Sequence, residues 1–398
     1  MLCGQCAAEP LTLTRALVGA AAQIGDVEVF LGANFSRTFS RTSPPNLRFA
    51  SYGALGTSMD LSRAGRLEVS QMHYSALHAA FAEGALKADV VFLQLREGPR
   101  GLSLGLANDY SALAARHARV VIAEVNAGVP VTTGADLPAD IRIAAFVEAA
   151  MPPLDVPPAA LGHVSEQIGR RLAELVPDGA TIQIGVGAIP DAVLAALTSH
   201  RDLGLHSGVM TDRVLDLIEA GAMTDARKTR NPGAAVTNTL IGTRRLYDYA
   251  DGNPHLMVMP ASETHDHCVL RSIDRFFSIN SGIEVDLAGR VNAERAGGQQ
   301  VGGLGGIADF TRGARASKGG ASIIALPATA DGGRISRIVA RVEAATIGPG
   351  DVDFVVTEFG VADLRLASVR ERAGRLTAIA HPDFRDGLER AACGGGPG

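Results

Sequence analysis

The sequence predicts an α/β fold with parallel-rich sheets in two domains. Three observations carry this. Short continuous apolar runs alternate with stretches of helical periodicity, the pattern of strands covered by helices on both faces. At 398 residues the chain is too long for one ordinary core and suits two domains, each with its own core, of roughly 200 residues. Glycine is abundant, with 46 residues, and many fall where one element gives way to the next, as tight strand-to-helix turns require.

Taken in order, Leu11–Ile24 predicts a helix, Val27–Leu31 a strand and Tyr74–Leu86 a second helix. Ala88–Leu95 and Ala118–Val125 follow as buried strands. Pro130 and the pairs Pro152-Pro153 and Pro157-Pro158 mark the exit from this half. The boundary falls near residue 160, giving domains over 1–160 and 161–392. The second half opens with a helix on which Val164, Ile168, Leu172 and Leu175 recur, ended by Pro177-Asp178-Gly179. Thr181–Ile184 is a strand, Gly185–Pro190 a turn, and Asp191–Leu197 a helix with Pro190 at its first position. Thr211 or Asp212 caps a helix carrying Val214, Leu215, Leu217 and Ile218, with Gly221 at its end. Ser322–Leu326 and Asp353–Thr357 are later strands. The tail Cys393-Gly-Gly-Gly-Pro-Gly398 is expected to be disordered. There is no short-period repeat. Two halves of similar length suit related folds, although their sequences do not show the relation.

The net charge of −5 gives no basic surface for nucleic acid. No apolar run reaches the ~18 residues that span a bilayer, and Met1–Cys6 lacks the charged and apolar regions of a signal peptide. The expectation is a cytoplasmic enzyme without nucleic-acid or membrane partners. Cys3 and Cys6 have the spacing of a redox or zinc motif, but no second pair lies near to complete a zinc site. The plainer alternative is two small residues at the chain start.

Three constellations can carry chemistry. Gly185-Val186-Gly187 lies between a strand and a helix, where backbone N–H groups can hold a phosphate or the oxyanion of an attacked thioester. The third glycine of a dinucleotide fingerprint is absent, because Pro190 stands there. A plain tight turn is the other reading. Gly302-Gly303-Leu304-Gly305-Gly306 packs four glycines into five residues, which suits close approach of backbone to a substrate, or else a bulge or wide turn. Glu263-Thr-His265-Asp-His267 offers a general-base histidine, a metal pair without further ligands, or a solvated polar loop. Glu284 lies in a strand-like alternation, as surface and ion-paired carboxylates do. Ser207 lacks the GxSxG setting of a hydrolase nucleophile.

The segment Leu203-Gly-Leu-His-Ser-Gly-Val-Met-Thr-Asp212 resembles a loop of the acetyl-CoA hydrolase/4-hydroxybutyrate CoA-transferase family. Ile182–Leu194, Gly242–Asp248, Ile279–Gly289, Gly303–Gly313, Val356–Arg365 and Ile379–Arg385 resemble the same family in the same order. The likeness runs through nearly the whole chain and is densest after residue 165. It implies two CoA-transferase-type α/β domains with the active site at their interface. It also implies a coenzyme A thioester as substrate with no bound cofactor, a small-molecule acceptor, and a homodimer or larger assembly. In the family a glutamate attacks the acyl-CoA carbonyl, and a glutamyl–CoA thioester is then resolved by a carboxylate. Gly185, Val186 and Gly187, with Gly303, Gly305 and Gly306, would match its oxyanion and CoA-binding loops.

The chain departs from the family pattern in three places. Gly208 stands where the glutamate is placed, and His265 about where the family tends to carry asparagine. The chain also begins close to where the family's first strand is ending, so N-terminal residues are expected to be missing. One expectation is therefore attack on the thioester by water or another non-carboxylate acceptor, in room left beside Gly208, with His265 or His206 as base. The alternatives are ordinary CoA transfer with Glu263 or Glu284 as nucleophile, and a CoA-binding homologue without chemistry.

Overall fold

The computed structural model describes residues 1–394 of the 398. In the first half, β1 (Leu2–Cys3) leads to α1 (Leu11–Ile24), β2 (Val27–Leu31), β3 (Leu47–Ser51), α2 (Ser58–Arg63), β4 (Leu67–Val69), α3 (Tyr74–Ala82), β5 (Val90–Gly98), β6 (Gly101–Ser103), α4 (Ser111–His117), β7 (Val120–Val125) and β8 (Ala145–Glu148). Their sheet has the order β4-β3-β2-β1-β5-β7-β8, with β6 paired to β5. Every pairing in it is parallel except β5–β6.

The second half repeats the plan. It runs α5 (His163–Ala173), β9 (Thr181–Ile184), α6 (Ala188–Ala196), β10 (Gly204–Met210), α7 (Asp212–Glu219), β11 (Ala235–Leu240), α8 (Arg244–Ala250), β12 (Leu256–Val258), α9 (Ala261–Thr264), α10 (His267–Arg271) and β13 (Phe276–Ser281). Four short strands follow: β14 (Glu284–Asp286), β15 (Val291–Asn292), β16 (Arg295–Ala296) and β17 (Gln299–Gln300). Then come α11 (Ile307–Ala316), β18 (Ala321–Ala325), the short β19 (Thr329–Ala330), β20 (Ile335–Ser336) and β21 (Ile338–Val339), and finally β22 (Phe354–Thr357), β23 (Gly360–Asp363), α12 (Val369–Ala378) and α13 (Pro382–Gly394). This sheet is ordered β12-β11-β10-β9-β13-β18-β22-β23.

Both sheets therefore start in the middle, grow to one side, and reverse direction between their first and fifth strands. The relation between the halves, silent in the sequence, is explicit in the topology. A reversal of strand order opens a crevice at the carboxyl ends of the strands, where α/β sheets bind ligands. The turns leaving β1 and β9 mark those two points.

The strands form where apolar runs predict them: β2 and β9 span the expected residues. Three details differ. The Tyr74 helix ends at Ala82, because Gly84 adopts φ 69° and turns the chain. The helix after the Gly185 turn starts at Ala188, so Pro190 is its third residue; Gly187, at φ 121°, has already made the turn. At the other end, Cys393 and Gly394 belong to α13, while the rest of the predicted disordered tail lies outside the described residues.

Each half has an apolar cluster of its own, around Val29, Phe49 and Leu61 in the first and around Val285, Val355 and Leu376 in the second; what the expectation of two cores did not include is a larger one shared between them. That shared cluster joins Leu2, Leu93 and Tyr110 of the first half to Leu172, Ile182 and Val258 of the second. No described helix is long and apolar enough to cross a membrane.

Candidate active site

A pocket of about 450 Å³ opens between the halves, at the carboxyl ends of both sets of strands. The first half supplies Gln5 and Cys6 after β1, Phe35 after β2, and Tyr52, Leu55 and Tyr74. The second supplies Gly185 and Val186 after β9, Gly208 and Val209 in β10, Asn238 and Thr239 in β11, Asn280 in β13, and Gly303–Gly306 before α11. Its lining includes no Asp, Glu, Lys or Arg.

A hydrogen-bonded chain forms the floor and ties the halves together. Tyr52 Oη donates to Gln5 Oε1 at 3.0 Å. Gln5 Nε2 donates to Tyr74 Oη at 3.1 Å, and Tyr74 Oη donates to Asn238 Oδ1 at 2.9 Å. Asn238 Nδ2 donates to the carbonyls of Asn108 and Met259. With its polar atoms spoken for, the floor is rigid. On the opposite wall Gln183 and Asn280 exchange reciprocal amide bonds of 3.1 and 2.9 Å. Asp309, in the first turn of α11, accepts from Ser75 Oγ at 2.7 Å and from Ser75 N at 3.2 Å, closing the interface beside the pocket.

His265 lies at the centre. It caps the short helix α9 and is buried, its ring 4.6 Å from Tyr74 and 4.5 Å from Phe310, centroid to centroid. A Cβ built on Gly208 would meet its Nε2 at 3.0 Å and Cε1 at 3.1 Å. A Cβ on Gly306 would meet Cδ2 at 2.7 Å and Nε2 at 2.8 Å. The imidazole thus fills the space between the two glycines, and the room expected beside Gly208 is taken. His265 Nδ1 lies 2.8 Å from Thr264 Oγ1, which lies 3.3 Å from Pro260 O. A hydroxyl has one proton, so both contacts are hydrogen bonds only if Nδ1–H donates to Thr264 and Thr264 donates to Pro260. That tautomer leaves the Nε2 lone pair facing the pocket. Burial, with smaller contributions from His206 and His78, lowers the pKa of His265 to about 3, so the ring is neutral.

His206 is not brought into the pocket. Its Nε2 is 3.0 Å from Glu263 O, and its ring packs edge-on against Phe276. A carbonyl only accepts, so Nε2 carries the proton. Burial lowers this pKa to about 3 as well. The residue ties β10 to α9. The other proposed nucleophiles also lie outside the lining. Glu263 pairs with Arg230 at 2.9 Å, and Glu284 accepts from Asn292 Nδ2 at 3.1 Å. His267 is exposed while His265 is buried, so the two do not converge, and the described residues hold no cluster of three or more metal-ligating side chains. Cys3 and Cys6 are buried free thiols whose pKa burial pushes up; only Cys6 reaches the pocket.

The glycine loops have mixed causes. Gly185, Val186, Gly303, Gly305 and Gly306 line the pocket. Gly187 is needed for its φ of 121° at the start of α6. Yet a Cβ on Gly303 would meet Gly53 Cα and Tyr52 O at 2.6 Å, and one on Gly302 would overlap Ala293 O. Gly303 thus lets the two halves approach each other at the pocket's edge, and Gly302 lets the second half fold closely on itself.

Similar proteins identify the family. The 4-hydroxybutyrate coenzyme A transferase of Clostridium kluyveri is 41% identical over 338 residues, 84% of this chain and 79% of that protein. The chain belongs to the acetyl-CoA hydrolase/4-hydroxybutyrate CoA-transferase family. A family model, the acetyl-CoA hydrolase/transferase C-terminal domain, matches residues 242–392. RipA from Yersinia pestis shares the fold with a TM-score of 0.91 at 33% identity, over 99% of this chain and 93% of that one. A 4-hydroxybutyrate CoA-transferase from Porphyromonas gingivalis gives 0.80 at 34%, over 98% and 92%. The protein is an enzyme of this family, whose members act on acyl-CoA.

Of the site residues singled out in the sequence, Gly208, His265, Gly185, Val186, Gly303, Gly305 and Gly306 line the pocket, and Gly187 and His206 do not. Sequence reasoning missed Gln5, Tyr52, Tyr74, Asn238, Asn280 and Phe310. The first-half residues Gln5, Tyr52 and Tyr74 follow the carboxyl ends of β1, β3 and β4, strands that the apolar pattern did not single out.

Proposed function

We propose that this enzyme cleaves an acyl-CoA thioester by passing the acyl group to an uncharged acceptor, without a covalent glutamyl intermediate. The observation that carries this is the His265 ring packed against Gly208, in a pocket with no carboxylate in its lining. By the resemblance drawn from the sequence, 208 is the glutamate position of the family. Here that position has no side chain, and the adjoining space holds a neutral imidazole. A pocket without a cation also suits an uncharged acyl group, and disfavours burying a carboxylate acceptor.

In the proposed reaction the thioester carbonyl lies between the turn at Gly185–Val186 and the loop at Gly305–Gly306. Backbone N–H groups there offset the developing oxyanion. The acceptor's O–H or N–H points at His265 Nε2. As the acceptor bonds to the carbonyl carbon, its proton passes to Nε2. Collapse of the tetrahedral intermediate breaks the C–S bond, and the proton moves from His265 to the departing CoA thiolate.

The test follows free thiol release from a panel of short acyl-CoAs, with and without added alcohols and amines. His265→Ala is expected to lower turnover about 10²-fold or more, the span of a positioned general base. Absence of turnover with any acyl-CoA, or a His265→Ala variant as fast as the parent, would overturn the proposal.

A further inference from the structure

A second cleft, of about 650 Å³, opens on the first half and is lined by Arg37, Arg41 and Arg63 with Thr42, Thr57 and Asp60. It lies next to the acyl pocket along the chain: Gly56 lines the pocket and the next residue, Thr57, lines the cleft. The loop carrying Arg37 and Arg41 is firmly held. Thr57 Oγ1 donates to Asn34 O at 3.1 Å, Thr38 N to Ser36 Oγ at 3.1 Å, and Ser40 N to Ser43 Oγ at 2.9 Å. The Arg66 guanidinium donates to the carbonyls of Arg41, Ser43, Pro44 and Leu47.

The backbone is thus fixed while the cations it presents are unspent. Arg37 and Arg41 make no side-chain hydrogen bond or ion pair among the described residues, and Arg63 reaches only Asp60, at 3.9 Å. Three guanidinium groups against one carboxylate leave a positive excess, and their planar N–H forks match phosphate oxygens. The neighbouring pocket is the opposite, with no charged side chain in its lining. A CoA thioester has the same division, a neutral thioester arm at one end and phosphates at the other. We infer that the arginine cleft seats the phosphate-bearing end of the CoA thioester, with the arm crossing at Gly56–Thr57 into the pocket. This rests on the acyl-CoA reading of the pocket.

Calorimetry with CoA and with ADP, on the parent and on Arg37→Gln, Arg41→Gln and Arg63→Gln, tests the inference without needing turnover. Each substitution is expected to weaken CoA binding several-fold and the triple variant about a hundredfold. The parent's affinity should fall as salt is raised, and ADP should bind far more weakly than CoA. A short acyl-N-acetylcysteamine thioester, which lacks the phosphates, should be cleaved equally by the parent and the triple variant. The inference is overturned if the triple variant binds CoA as the parent does, if ADP binds as tightly as CoA, or if cleavage of the short thioester falls in parallel. A parent that binds CoA through these arginines yet cleaves no thioester removes the proposed reaction and leaves this site standing.

Discussion

His265 and Gly208 cannot vary independently. With Nε2 3.0 Å from a Cβ at 208, a side chain there presses on the imidazole, whose freedom to give way is limited by the Tyr74 and Phe310 rings packed against it. Gly208→Glu alone is therefore expected to lose thioester cleavage and to gain no CoA exchange onto acetate. Gly208→Glu combined with His265→Asn, which frees the space, is expected to gain that exchange. Following labelled acetate into acetyl-CoA distinguishes the two, and exchange by the single variant would count against the packing argument. The protonation of His265 gives a second prediction. Its pKa is lowered to about 3, chiefly by burial, so the base is free throughout the neutral range and is lost only as pH falls through the folded value. An unperturbed histidine near 6.5 would cost roughly tenfold in rate by pH 5.5. A profile of kcat/KM is thus expected to be level from about pH 5 to 8, and a break near 6.5 would show an ordinary histidine. Both residues were visible in the sequence through their departure from a family pattern. Their contact was not, because it depends on how α9 delivers its last turn to β10.

At the scale of elements, the sequence was clearest where large apolar residues recur closely in a short run, as in Val27–Leu31 and Thr181–Ile184. It was blind to β10, β11 and β13, whose runs carry His206, Ser207, Asn238, Ser278 and Asn280. These strands are buried, yet they hold polar side chains, most of whose partners lie on other elements. Asn238 completes the pocket floor, and Asn280 pairs with Gln183. A pattern of hydrophobicity cannot distinguish such a strand from a polar loop. Helix packing supplies a paired test of what glycine does. On α5, a Cβ at Gly169 would meet Ala192 O at 2.6 Å, so the α5–α6 contact requires glycine. On α12, a Cβ at Gly374 meets nothing within 4 Å. Gly169→Val is expected to destabilise by about 1–3 kcal/mol through overpacking. Gly374→Ala is expected to stabilise by about 0.5–1 kcal/mol through lost unfolded-state entropy. Denaturant midpoints compare the two, and equal effects of either sign would contradict the packing described.

At the scale of the molecule, the function depends on two sheets of one plan facing each other. Each presents its point of strand reversal, and the pocket lies where Gln5–Cys6 of one meets Gly185–Val186 of the other. The sequence carried the α/β class and the family resemblance, but neither the duplicated topology nor the shared core, since both arise from pairings distant along the chain. The central claim is that the acyl group leaves CoA for a neutral acceptor and that no protein carboxylate takes part. Its most direct test is mass spectrometry of the products from an acyl-CoA library incubated with water, an alcohol, an amine and a carboxylate together. The expected products are free CoA with the free acid, ester or amide, and no new acyl-CoA formed from the added carboxylate. Transfer of CoA onto that carboxylate, through a borohydride-trappable glutamyl–CoA, would contradict it.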